Sequence, residues 1–380
     1  MRIVHICLAS SYTEGMTYQD NLLPEYNAVD GHSVTIISNC AKYIDGQLSA
    51  VAPQDIFLSN NLRLIRMPYK HIINAYFSEK MRYVDGLYEL LTKLSPDVIL
   101  FHGLCGAEIM TVAKYKQQHP EVKFYADSHE DFHNSARNIL SRNVLHKLIY
   151  NHYLRKALPY IDKIFYLGSE AKLFDQEMYG ISEEQLEFYP LGGIICPSDE
   201  RLQKRLNIRK DMRISENDIL LVHSGKMGAK KRTYELLEAF CAVDATNLKL
   251  VILGSMTDDV SLKVMPLIEQ DPRVEYLGWK SGEELMDYLC AADLYVQPGT
   301  QSATMQNALC CGSAAALFPY PSHKFLLGDS VFYIDTVEDM KKLFTKISQN
   351  REILEEKRKM SDKIAKEMLD YKVLAARLYR

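Results

Sequence analysis

The chain lacks most of what would place it outside the ordinary soluble class. Its eight cysteines are scattered with no Cys-x-x-Cys pair, which excludes a zinc ribbon and a disulfide framework. Two of them, Cys310 and Cys311, are adjacent, and the set reads as reduced, mostly buried thiols of a cytosolic protein. No apolar run approaches the length of a membrane span. The opening MRIVHICLAS is short, apolar and β-branched, without the length or cleavage site of a secretory signal, and reads as a first buried strand. A net charge of −4 gives no global reason to expect nucleic acid as partner. Low-complexity segments and short-period repeats are also missing. Cytoplasmic localisation is the expectation that remains.

What is present is alternation. Apolar runs of strand length interleave with segments of helical period, the pattern of α/β units with parallel sheets covered by helices. With 380 residues, two domains are expected. The first series predicts strands at residues 3–8, 33–38, 62–67, 98–102, 123–127 and 163–167, with helices over 18–30, 78–94, 107–119 and 144–160. The second predicts strands at 219–223, 249–253, 274–277, 294–297, 313–318 and 331–334, with helices over 234–243, 260–270, 282–291 and 304–310. Two doubly wound units follow: a domain over 1–190, a linker over 191–211 rich in Pro, Gly and charge, a domain over 212–358, and a charged helical tail over 359–380. Ligands of such sheets sit at the carboxyl ends of the strands.

The most informative stretch is HSGKMGAKKRTYELLEAF, residues 223–240. A buried-type strand runs into a glycine-containing turn with three lysines and an arginine, and a helix begins. Glycine, cations and a helix start suit the phosphates of a nucleotide. Lys226 and Lys231 are the expected phosphate ligands, and a solvated basic turn is the alternative.

This motif, the opening strand and loop followed by DGHSVTII (residues 30–37), and RVEYLGWKSGEELMDYLCAADLYVQPG (residues 273–299) together resemble the GT-B glycosyltransferases of family 4 type. That family transfers a sugar with retention from a nucleotide diphosphate, without metal or other cofactor. The resemblance runs over nearly the whole chain. It implies two Rossmann-like domains facing a cleft, the first binding an acceptor and the second the donor, with the final helix returning to the first domain. Gly225 matches the family's glycine, Lys226 its arginine and Lys231 its lysine. The Lys226 ammonium is a point charge where arginine offers a planar fork. Both lysines would stabilise charge on the departing diphosphate.

In PGTQSATMQNALCCG, residues 298–312, the family's two glutamates are missing. Asn307 stands at the ribose position and Gln306 precedes it. Gln301, Ser302 and Ala303 would face the sugar and diphosphate, since amides both donate and accept. Gly254 and Leu277 complete the expected donor set, with Gly15 of SSYTEGMTYQDN allowing close approach of the backbone. An N-capped structural helix, and an enzyme weakened by the lost carboxylates, are the competing readings of this segment.

In YADSHEDFHNSARN, residues 125–138, the resemblance places His129 beside the transferred sugar. Glu130 and Asp131, with Glu14 and Tyr18 of the first loop, are the acceptor-side candidates. His129 capping a turn and Tyr18 serving the core are the alternatives. Three successive ionisable residues do not converge readily on one ion, so no metal is expected. His102, ending another strand, reads as a satisfied polar residue. From His133 to Ile161 the chain has no acidic residue, while Arg137, Arg142, Lys147, Arg155 and Lys156 interleave with Leu140, Val144, Leu148 and Ile149. Residues 137–156 would suit a lipid-linked acceptor or a peripheral seat at the inner membrane face, against an ordinary basic surface helix. The expected activity is a retaining glycosyltransferase using a UDP-, GDP- or ADP-sugar and a glycan or lipid-linked acceptor, as in cell-surface polysaccharide synthesis. A sugar-nucleotide epimerase on the same fold and a non-catalytic sugar- or nucleotide-binding partner are the rivals.

Overall fold

The computed structural model describes residues 1–44 and 47–380. It divides into two compact units, Met1–Pro190 with Leu374–Arg380, and Leu191–Val373.

The first unit contains β1 (Arg2–Cys7), β2 (Ser33–Asn39), β3 (Ala41–Ile44), β4 (Gln47–Ala50), β5 (Gln54–Ser59), β6 (Leu62–Met67), β7 (Val98–His102), β8 (Lys123–Ser128), β9 (Lys163–Tyr166) and β10 (Leu186–Phe188). Eight of them form one sheet in the order β10-β9-β8-β7-β1-β2-β6-β5, parallel except for the antiparallel edge pair β5 and β6. The chain order reverses between β1 and β7, and the loops leaving their carboxyl ends flank that switch point. The single predicted helix over 78–94 is two, Ala75–Met81 and Leu87–Leu94, because Arg82 and Gly86 both take left-handed backbone. The β3–β4 hairpin was not expected; Tyr43, Ile44 and Leu48 are exposed, so no buried face marks it in the sequence.

The second unit is one parallel sheet, β13-β12-β11-β14-β15-β16, built from β11 (Ile219–Met227), β12 (Leu248–Met256), β13 (Val274–Tyr276), β14 (Leu294–Gln297), β15 (Ala314–Leu317) and β16 (Phe332–Tyr333). Ile219 and Leu221 feed one core layer while Leu220 and Val222 feed the other. Burial on both faces explains why β11 reads as a continuous apolar run. The order reverses here between β11 and β14. The helix Gly282–Ala291 starts on a capping box, with Ser281 Oγ accepting from the Glu284 N–H at 3.2 Å and Glu284 accepting from the Ser281 N–H at 2.9 Å.

Two boundaries differ from the sequence expectation. The segment read as a linker, 191–211, belongs to the second unit, and its charged part is the helix Ser198–Asp211. Its charges are internal partners: Arg205 and Arg209 meet the buried Asp293 at 2.7 and 3.0 Å, and Arg351 adds a third contact at 2.7 Å. The tail does not join the first unit from residue 359. The helix Glu352–Ile364 and its continuation pack in the second unit, and only Leu374–Arg380 belong to the first. There Leu374 O accepts from the Tyr189 hydroxyl at 2.6 Å, and the Arg377 guanidinium pairs with Glu187 at 2.5 Å. No described helix is long and apolar enough to cross a membrane.

Candidate active site

In the second unit the candidate donor residues gather at the β11/β14 switch point. Gly225 and Gly254 are paired across β11 and β12 with φ of 132° and 129°. A Cβ on Gly254 would lie 1.9 Å from the Gly225 carbonyl oxygen, so the strands approach where only glycine fits. Leu277 and Gly278 close the β12 side, the Gly254 N–H donating to Gly278 O at 2.7 Å. Gly299 is pressed against the 230–231 backbone, and the Thr300 N–H donates to Lys230 O at 3.1 Å. The two loops that leave the switch point therefore interlock.

Lys231 is held inside this junction. Its side chain lies across Gly225 and its ammonium donates to Thr300 O at 3.5 Å. Among the described residues no carboxylate pairs with it, and burial pushes its ammonium down to about 8. Lys226 ends β11 with its side chain exposed. Beneath the loops lies a buried polar set that sequence reasoning missed: Ser224, Tyr295 and Gln297. Tyr295 donates to Gln297 Oε1 at 3.3 Å, while Gln297 Nε2 and Ser224 Oγ have no protein partner. Polar residues ending otherwise apolar strands, in VHSG and YVQPG, were the available signal. Buried polar groups of this kind call for a ligand or water.

The 298–312 segment is only partly committed to this cluster. Ser302 bonds Thr304 at 3.2 Å, and Ala303 is exposed beside it. Gln301 is exposed and its amide donates to Ser322 Oγ at 2.8 Å. Gln306 is buried with an unpartnered Oε1. Asn307 Oδ1 accepts from the Ile194 N–H at 3.1 Å, tying its helix to the start of the unit, so only its amide nitrogen is left for a ribose hydroxyl.

In the first unit, His129 follows β8 and its Nε2 lies 3.2 Å from Asp127 Oδ1, its side chain 38% exposed. Asp127 is fully buried; it accepts from the Gly103 N–H at 2.7 Å and meets His102 Nδ1 at 2.7 Å. Burial alone would raise this carboxyl, but the two imidazoles hold it well below the usual carboxylate range. His102 is thus the centre of a cluster rather than an isolated strand-end residue. Asp20, His102 and His129 bring one potential ligand atom each within 4.8 Å of one another. His102 Nδ1 and His129 Nε2 lie 2.7 and 3.2 Å from Asp127, so the cluster is read as a charge pair.

Several acceptor-side expectations change. Glu14 holds the buried Arg66 at 3.1 Å and Lys42 at 3.5 Å, and so serves the fold. Asp131 Oδ1 accepts from the His133 and Asn134 N–H groups at 2.7 and 2.8 Å, closing a local turn. Glu130 accepts from the His129 N–H at 3.2 Å. Tyr18 is exposed rather than core, whereas its neighbour Gln19 is buried with both amide atoms unpartnered. Gly15 has φ 78° with open space where a Cβ would stand, so it serves the turn and not a close packing contact. A cavity of about 410 Å³ in this unit is lined by Ser11, Asn39, Tyr69, Glu79 and Arg82, under the β3–β4 hairpin.

Residues 204–368 match the model of the group 1 glycosyl transferases. No curated protein matches the sequence. Among solved structures, sucrose-phosphate synthase from Thermosynechococcus elongatus is 13% identical with a TM-score of 0.68, covering 99% of this chain and 96% of that one. WaaG, a glycosyltransferase involved in lipopolysaccharide biosynthesis, is 15% identical with a TM-score of 0.64 and 99% coverage of both chains. HepE from Anabaena, solved in complex with UDP, is 12% identical with a TM-score of 0.65, covering 99% and 98%. Residues 204–368 thus match the group 1 glycosyl transferases, and the two Rossmann-like units of the chain have the GT-B fold of these solved structures.

Proposed function

We propose that this glycosyltransferase moves a sugar with retention from a nucleoside diphosphate to a glycan or lipid-linked acceptor, in the manner of cell-surface polysaccharide assembly. The observation that carries the reading is Lys231, a buried ammonium with no carboxylate partner among the described residues, set where two glycine-bearing strands and the 298–300 loop meet. An anionic ligand supplies the missing counter-charge. On this reading the diphosphate lies along Gly225, Lys226 and Lys231, with Ser302, Ala303 and Gln306 toward the sugar. Gly254 and Leu277 lie on the nucleoside side, and the Asn307 amide nitrogen reaches a ribose hydroxyl. HepE was solved with UDP, which supports a uridine donor.

As the bond from the anomeric carbon to the phosphate oxygen breaks, negative charge grows on the diphosphate. Lys231 and Lys226 stabilise it without metal or cofactor. The acceptor hydroxyl attacks from the same face, and its proton passes to the departing phosphate oxygen. In the first unit His129 donates to a sugar hydroxyl, and the cavity under the β3–β4 hairpin takes the acceptor. Exposed Ile139, Leu140, Val144 and Leu148 stand among Arg137, Arg142 and Lys147, and this face supports a peripheral contact with an anionic membrane from the cytoplasmic side. A thermal-shift panel of UDP-, GDP- and ADP-sugars tests the donor assignment. One nucleotide class should stabilise the parent chain and not Lys231→Ala; equal stabilisation of both removes Lys231 from the site.

A further inference from the structure

Five polar side chains of the first unit form a continuous chain of contacts from the carboxy-terminal segment to His129. Asn27 Nδ2 donates to Ala375 O at 3.1 Å, which orients the amide so that Oδ1 faces His5 Nε2 at 2.9 Å. That contact requires a proton on His5 Nε2. His5 is fully buried, and burial followed by repulsion from His102 pushes it down to about 3, so its ring is neutral and Nδ1 carries a lone pair. His102 Nε2 lies 3.0 Å from that lone pair and donates to it. The other nitrogen of His102 faces Asp127 at 2.7 Å and Asp20 at 3.5 Å. A lone pair there would confront two carboxylates, so this nitrogen also carries a proton.

We propose that His102 is a fixed imidazolium, a positioning residue that locks Asp127 between two histidines and thereby holds His129 in place for sugar transfer. Its charge is set from behind by the neutral His5, whose tautomer is dictated by Asn27 and the Ala375 carbonyl. The groups facing His102 are His5 and Cys7 of β1, Asp20 of the helix Gln19–Val29, Asp127 of β8, and His129 just after it. Burial opposes the charge, and the carboxylates of Asp127 and Asp20 outweigh it, raising His102 well above an ordinary histidine, while Cys7, pushed up to about 11, is a neutral thiol. Asp127 Oδ2 then lies 2.7 Å from His102 Nδ1, while Oδ1 accepts from the Gly103 N–H and lies 3.2 Å from His129 Nε2. Ion-paired from both sides, the buried carboxylate is restrained, and through it His129 is held at its partly exposed end. The Ser10 hydroxyl, donating to Asp20, fixes the second carboxylate from the first loop.

The role in transfer rests on the placement of His129 at the sugar, but the charge state does not, and it is measured without any substrate. The experiment is a pH series of imidazole 15N spectra on the full chain labelled at histidine, with and without EDTA. The expected result is a His102 ring with both nitrogens protonated from pH 6 to 9, unchanged by the chelator. A neutral His102 ring at pH 8, or a charged one that appears only after chelation, overturns the proposal. In His102→Gln, Asp127 loses its competing cation, and the proton affinity of His129 should rise by about threefold or more. An unmoved His129 in a folded His102→Gln protein reduces His102 to packing and contradicts the positioning role. If that variant fails to fold, the parent spectra alone decide the charge state.

Discussion

The two units place their buried charge on opposite plans. In the second, Lys231 is an enclosed cation to which no described residue brings a counter-charge, beside the unpartnered Ser224 Oγ and Gln297 Nε2. In the first, Asp127 is a carboxylate enclosed by two imidazoles and a backbone N–H, its counter-charges supplied by the chain. An enclosed charge is tolerated only when something neutralises it. Where the protein supplies the partner, the result is rigidity. Where it withholds one, the result is a site for a ligand of opposite sign. Asp293, ringed by Arg205, Arg209 and Arg351, shows the first plan used for folding alone, far in sequence from any of its partners.

The sharpest way to break this contrast is to remove the unpaired cation. Lys231→Met should lower the rate of sugar transfer by about 10²–10³-fold, the typical loss on deleting one preorganised charge donor. The same variant should melt at a higher temperature than the parent below pH 8, because an unneutralised buried ammonium opposes folding. The sign follows from linkage: the folded value near 8 lies below that of a free lysine, so the penalty is complete below pH 8. It is relieved as pH rises from there toward about 10.4. Scanning calorimetry across pH 6–10 checks it, and a variant that melts lower throughout would return Lys231 to a structural role. Lys226→Ala, at an exposed position, should cost less, on the order of tenfold in donor KM with a small change in kcat. Lys226→Arg should restore the parent value in steady-state kinetics.

The carboxylate side sharpens the comparison from the other direction. Burial lowers and Asp127 raises the His129 imidazole, with the outcome near 9, so its charged form prevails below that pH and is lost above it. The transfer rate should therefore fall as pH rises through about 9, a limb that disappears in His129→Gln. The smallest effect is expected at Glu14. Glu14→Gln should lower stability by about 1–2 kcal/mol, read by urea denaturation, by weakening the partner of the buried Arg66. Sugar transfer should be unchanged, and a large kinetic loss there would restore Glu14 to the acceptor site.

Much of the architecture was legible because it depends on local pattern. Strands buried on both faces, such as β7 and β14, are continuous apolar runs whose limits coincide with the predicted ones. The paired strands Ala41–Ile44 and Gln47–Ala50 offered no such run, since their residues are half-buried or exposed. The helix Ser198–Asp211 looked like a linker because its arginines seemed destined for water, and the carboxylate they meet lies more than 80 residues away. The same limit hid the polar cluster of the first unit. Gly225, Lys226 and Lys231 share one short motif and could be read together. His5, Asn27, His102 and Asp127 are spread over more than 120 positions, and each looks ordinary alone. Local signals also misled at Glu14 and Asp131, whose carboxylates are taken up by Arg66 and by a turn.

The account turns on Lys231 being the protein's unmet cation for a diphosphate. The most direct measurement is calorimetric titration of inorganic pyrophosphate, which carries no base or sugar, into the full chain and into Lys231→Met at pH 8. Binding should draw protons from the buffer, because the bound anion raises the lysine from its value near 8. The variant should bind at least about tenfold more weakly, with the uptake gone. Equal affinity and equal proton uptake in the two proteins would contradict the account.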